Sequence, residues 1–148
     1  QKIAYLLDQL GAKSGFGYTY HHYGPYSREL DAAIFDAEAF ELVEERFRRR
    51  ELDGARYSIF ESKTPPDSPP FSCLRDNGLR ELAHRLASEN VTVLELAATA
   101  HWLAESEKLT DWKTEIVRRK GSKTAEGRLE EATKLLGELR LPPAVAAA

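Results

Sequence analysis

Cysteine occurs once in this 148-residue chain, at Cys73, so an internal disulfide is excluded. A lone thiol suits a reducing compartment, and the expected location is the cytoplasm. Methionine is absent, and the chain opens at Gln1 inside a helical pattern, so a natural start upstream of Gln1 is expected. No apolar run approaches the length of a bilayer span, so no membrane association is expected. Neither charge sign dominates: 21 Lys and Arg face 24 Asp and Glu, for a net charge of −3. Bulk attraction to nucleic acid is therefore not expected, although a local basic patch remains open. Gly15-x-Gly17 lacks the third glycine and the following helix of a dinucleotide loop. No Cys-x-x-Cys or His-Glu-x-x-His spacing offers a metal site.

What is present is an ordinary globular balance, 42% hydrophobic and 30% charged residues, enough for one domain with its own core. Ile3, Leu6, Leu7 and Leu10 recur at helical spacing before Gly11. Residues 16–20 alternate, with Phe16, Tyr18 and Tyr20 on one side of an extended segment. Next comes His22-Tyr23-Gly24-Pro25-Tyr26-Ser27. Glycine tolerates unusual backbone angles, proline pre-sets one, and Ser27 can cap the helix that follows. The string reads as a structural elbow, built on Gly24, Pro25 and Ser27, that aims a helix over 28–39. That helix carries Leu30, Ala33, Ile34 and Ala37 on one stripe.

Asp53-Gly54 between two alternating runs predicts a β-hairpin over 43–62. Four prolines in residues 64–70 predict a loop. From Leu74 onward the pattern is helical. Leu79, Leu82, Ala83 and Leu86 form one stripe; Thr92, with Glu95 three residues on, is the candidate cap of the next helix. Thr110 is the candidate cap of a short helix, and the last helix is expected over 125–139. The predicted fold is a single α+β, mostly α domain. A winged-helix-like N-terminal half with a β-hairpin (1–63) leads through a Pro-rich loop (64–71) to a helical half (72–148). Only two of the usual three helices precede the hairpin.

The segments Gln1-Lys2-Ile3-Ala4-Tyr5-Leu6-Leu7, the aromatic strand and His22-Tyr23-Gly24-Pro25-Tyr26-Ser27-Arg28-Glu29-Leu30 resemble the YwgA-like group of bacterial proteins. So do Ala98-Thr99-Ala100-His101-Trp102-Leu103, the lysine-containing turn 120–123 and Ala132-Thr133-Lys134-Leu135-Leu136. That group is related to the Panacea domain of SocA-like antitoxins. Where the group's pattern has a glycine before the hairpin, this chain has Phe40-Glu41-Leu42. The resemblance implies a binding protein, an antitoxin or adaptor whose partner is a protein such as a toxin, and it supplies no catalytic residues.

The candidate constellations point the same way. His21 and His22 are neighbours, which on a strand face opposite sides and do not share an ion, so no metal or other cofactor is expected. Cys73 has no local nucleophile signature. Phe16, Tyr18 and Tyr20 read first as packing, while Tyr23 and Tyr26 are equally suited to packing and to contact. Arg46-Phe47-Arg48-Arg49-Arg50 places Arg46, Arg48 and Arg50 on one strand face, flanked by Glu44, Glu45 and Glu51. The expected function is a non-enzymatic protein-binding module using Tyr23, Tyr26, Arg28, Arg46, Arg48 and Arg50. The alternative is a winged-helix DNA-binding regulator, which the acidic helix (Glu29, Asp31, Asp36, Glu38) disfavours. An enzyme with a site assembled from distant residues is a weaker third.

Overall fold

The structure is a computed structural model, and it describes residues 1–49, 54, 56–63 and 74–143. Six α-helices and two antiparallel hairpins follow in the order α1 (Lys2–Gln9), β1 (Thr19–His21), β2 (Gly24–Tyr26), α2 (Arg28–Ala39), β3 (Val43–Arg49), β4 (Arg56–Ser62), α3 (Asn77–Ala87), α4 (Val91–Glu105), α5 (Trp112–Lys120) and α6 (Arg128–Glu138). The class is α+β and mainly helical, as expected. The chain divides into two compact units, Gln1–Ser27 with Phe71–Ala148, and Arg28–Pro70. This division differs from the expected halves: the first helix and the elbow belong with the C-terminal helices, and α2 with the hairpin stands as its own unit. The third helix of a winged helix is not found ahead of the hairpin among the described residues.

The first unit is organised around α4. Nine of its residues are buried, from Val93 through Leu103. A helix apolar on all sides has to be enclosed on all sides, and α1, α5, α6 and β2 pack against it. Tyr5, Leu6 and Leu7 of α1, Leu86 of α3, Ile116 of α5 and Leu135 and Leu136 of α6 complete the core. The starting signals are Asp and Asn, whose carbonyl oxygens take the orphan N–H groups of a first turn. Asp76 accepts from Leu79, Asn90 from Thr92 and Val93, and Asp111 from Thr114. Thr92 and Thr110 are therefore not the caps; Asn90 and Asp111, one or two places away, reach the first-turn donors instead. The last helix starts at Arg128 rather than 125, because a 3-10 turn, Gly121–Thr124, precedes it.

The alternation over 14–20 is real in burial: even positions are half-buried and odd ones exposed. Only Thr19–His21 is a strand, however. The residues before it are held by Asp8, whose carboxylate accepts from the Ser14 N–H at 2.7 Å and the Tyr18 hydroxyl at 3.0 Å. Tyr18 meets the Tyr5 ring edge-on at 5.2 Å and Tyr20 lies 6.4 Å from the Trp102 ring, so these aromatics serve packing.

One core polar pair carries a pH signature. The Tyr5 hydroxyl lies 2.7 Å from His101 Nδ1, and His101 is only 3% exposed. Burial pushes its imidazole below the ordinary 6.5. A group whose folded pKa is depressed in this sense takes up protons more readily when unfolded. The pair's stability is therefore fully present above about pH 6.5 and is lost as the pH falls below it. The urea midpoint is expected to drop between about pH 7 and about pH 5, and the drop should be smaller in His101→Asn. Equal slopes in the two proteins would count against this assignment.

In the second unit, α2 runs from Arg28 as predicted, with Glu29 and Asp31 in its first turn, where the helix dipole favours negative charge. The predicted hairpin appears with Val43 paired to Ser62 and Arg49 to Arg56. Of its turn, only Gly54 falls among the described residues, at φ +67°. The prolines of 64–70, Cys73, Arg50 and Glu51 lie outside the described residues.

Candidate functional site

The elbow is itself a strand. Gly24-Pro25-Tyr26 form β2, in register with β1 through Thr19↔Tyr26, Tyr20↔Pro25 and His21↔Gly24. Gly24 is required twice over. Its φ is +90°, and a Cβ there would lie 2.6 Å from Thr99 Oγ1 of α4. Gly24, Pro25 and Ser27 are buried, which agrees with their structural assignment.

Side chains from distant elements grip this backbone. Gln1 closes a two-way bond on Ser27, accepting its N–H at 2.9 Å and donating to its carbonyl at 3.0 Å. Lys2 Nζ donates to the Pro25 carbonyl at 2.8 Å. Lys120 Nζ donates to the His22 carbonyl at 2.7 Å and to Glu95 Oε1 at 2.9 Å, with its side chain only 2% exposed. Lys123 contacts both Glu95 oxygens, at 3.0 and 2.9 Å. Burial lowers the Lys2 ammonium to about 8; Glu95 opposes the shift, while Lys120 and Lys123 add to it. The geometry is that of a backbone segment clamped from several sides.

The sequence does not mark these groups as a clamp. Glu95 reads in the sequence as half of a capping box, and Lys120 and Lys123 enter only through the lysine-containing turn of the resemblance. The contact from Lys120 to His22 spans 98 residues and has no local signal. The only hint was chemical: a lysine at the end of an otherwise ordinary helix, followed by a second one after a glycine.

The clamped segment leaves some side chains outside. Tyr23 is 61% exposed; its ring lies 4.9 Å from Lys123 Nζ and 4.9 Å from the His22 ring. Tyr26 is half-buried against His21, with ring centroids 4.7 Å apart. Arg28, which opens the second unit, is exposed.

The second unit contributes no residue to the buried core among those described. Helix α2 has no buried residue at all, and Ala33, in the middle of its predicted stripe, is exposed. Phe35 and Phe40 are 71% and 75% exposed, and Leu42, Phe47, Tyr57 and Phe60 are also in contact with solvent. Of the predicted basic face, Arg46 is engaged: it pairs with Glu44 at 3.2 Å and Glu61 at 3.2 Å. Arg46 and then Lys63 hold the Glu44 carboxyl down at about 2. Glu45 instead accepts from the Ser58 hydroxyl. Arg48 is exposed and has no charged partner among the described residues. Arg49 bonds the Gly54 carbonyl at 3.3 Å, and the Arg56 guanidinium lies over the Phe47 ring at 3.5 Å. Arg50 lies outside the described residues.

Among the described residues no group of three or more His, Cys, Asp or Glu is placed to hold a metal ion, and no helix is long and apolar enough to cross a membrane. His84 is exposed and His101 is enclosed in the core, so neither approaches the His21-His22 pair as a ligand set. The chain matches no protein-family model, no curated protein and no solved structure.

Proposed function

We propose that this chain is a non-enzymatic protein-binding module of the adaptor or antitoxin type, acting in the cytoplasm. Its second unit, Arg28–Pro70, is the recognition arm and its first unit the folded body. One observation carries the reading: α2 buries none of its residues, while Phe35 and Phe40 stand in water at 71% and 75% exposure. Several large apolar side chains left in water on one short stretch of a small protein support an interaction role. Aromatic and arginine side chains are also those that dominate interfaces once water is excluded. Arg48, opposite Tyr57 in the hairpin register and without a charged partner among the described residues, adds an anchor of that type. Arg28 belongs to the same unit, and Tyr23, exposed on the first unit, is a separate candidate contact. The resemblance to the YwgA-like and Panacea proteins supports the same class.

The test is recovery of a partner from the native host by the tagged full chain, identified by mass spectrometry and then purified. Phe35→Asp and Arg48→Glu should each weaken binding of the purified partner about tenfold or more, with the circular dichroism of the chain unchanged. Unaltered affinity in both variants would overturn the arm as the recognition surface. The DNA-binding alternative is favoured by one feature, the arginines Arg48, Arg49 and Arg56 gathered at one end of the hairpin. A shift of random duplex DNA that survives about 0.2 M salt would place that alternative first.

A further inference from the structure

Among the described residues, the outer edge of β4 is open at its centre, around Ser58 and Phe60. Lys63 N–H donates to the Leu42 carbonyl at 2.7 Å, so that pair is hydrogen-bonded. In an antiparallel ladder every second pair is then bonded too. These are Glu44↔Glu61, Arg46↔Ile59 and Arg48↔Tyr57. It follows that Ser58 and Phe60 point their N–H and carbonyl groups away from β3. On β3 the equivalent outward N–H, that of Glu45, is occupied by the Glu38 carboxylate at 2.9 Å. On β4 the outward backbone groups of Ser58 and Phe60 have no partner among the described residues, and both residues are exposed. Proteins blunt such edges with proline, bulges or a central charge. The run Tyr57-Ser58-Ile59-Phe60 has none of these. A two-stranded ribbon with aromatic residues on both faces is also marginal by itself, and further strands stabilise it.

We infer that β4 pairs antiparallel with β4 of a second copy of this chain, joining two hairpins into a four-stranded sheet across a two-fold axis at Ile59. The occupant follows from the strand's own sequence, Arg56 to Ser62. Parallel pairing would set Arg56 on Arg56 and Glu61 on Glu61, and like charges directly opposite are unfavourable. Antiparallel pairing brings the basic end of each strand to the Glu61-bearing end of its partner. Full overlap of the seven residues fixes the register: Ile59 faces its own counterpart, Tyr57 faces Glu61, and Ser58 faces Phe60. Ser58 and Phe60, the residues with outward groups, then form the hydrogen-bonded pairs, twice by symmetry. On that face Phe60 of one copy stands beside the small Ser58 of the other. Ser58 is already opposite Phe47, so aromatic rings close over it from both sides. On the other face the two Ile59 side chains meet at the axis. Helix α2, with Phe35 and Phe40, takes no part in this pairing. The inference thus goes beyond the partner-binding reading, and either can fail without the other.

The experiment uses the full chain in a Cys73→Ser background and needs no other protein. Ile59→Cys should form an intermolecular disulfide under mild oxidation, because a non-hydrogen-bonded antiparallel pair sets Cα atoms about 4.5 Å apart, within disulfide reach. Tyr57→Cys should not, since the two copies of position 57 lie four residues out of register, roughly 13 Å. Light scattering after gel filtration should give a dimer for the wild type. Ser58→Pro removes an outward N–H together with the hydroxyl bonded to Glu45, leaves the backbone ladder to β3 whole, and should weaken the dimer at least about tenfold, whereas Ser58→Ala, which removes the hydroxyl alone, should not. A wild type that stays monomeric at sub-millimolar concentration would overturn the inference. So would cross-linking at position 57 as efficient as at 59, or an unweakened Ser58→Pro dimer.

Discussion

Gly24→Ala is expected to cost the chain about 2–4 kcal/mol of stability, read as a lowered urea midpoint at unchanged slope. Two independent terms add. A residue with a Cβ at φ +90° is strained whatever surrounds it, by about 1 kcal/mol or more. The new methyl would also lie 2.6 Å from Thr99 Oγ1 on a buried helix that cannot retreat, because its other faces are packed. Thr99 is fully buried and its hydroxyl has no hydrogen-bond partner among the described residues, so truncating it removes no bond. The double variant Gly24→Ala/Thr99→Ala should therefore be less destabilised than the sum of its parts: the overlap disappears and the backbone strain remains. A single Gly24→Ala variant within about 0.5 kcal/mol of wild type would show that neither term operates.

Lys120→Ala is the second large expected effect, about 2–4 kcal/mol. The side chain is 2% exposed, and its ammonium donates to the His22 carbonyl and the Glu95 carboxylate. Truncation leaves a backbone carbonyl without its donor, a half-buried carboxylate with Lys123 alone, and an unfilled volume. Lys120→Met restores most of the volume and none of the donors, so it should fall between alanine and wild type. Hydrogen exchange gives a sharper readout. Protection should fall first in the β1–β2 hairpin, where the clamp acts, before it falls in α4. Uniform loss of protection, or none, would mean that Lys120 is not what fixes the elbow.

These two residues mark where sequence reasoning ended. Local periodicity carried the helices, since an apolar stripe every three or four residues is the physical condition for burying a helix face. Alternation around Asp53-Gly54 carried the hairpin, whose strands begin and end where the pattern places them. Caps failed by one or two positions: Asn90 and Thr92, or Thr110 and Asp111, are equally plausible acceptors until the backbone angles are known. The elbow's importance was legible, but its pairing as a strand with Thr19–His21 was not. The clamp could not be read because its members lie 23 to 98 residues from the carbonyls they hold. Of the stripe expected on α2, Leu30, Ile34 and Ala37 are half-buried and Ala33 is exposed. A pattern says that a face favours cover; it does not say whether the same chain supplies it.

That last distinction bears on how such a protein can change. Every buried core side chain among the described residues lies outside the second unit. Substitutions along α2 and the β3–β4 ribbon therefore leave that buried apolar core untouched. On the proposed reading, the contact surface can change within one stretch of polypeptide while the buried core of the other unit stays as it is.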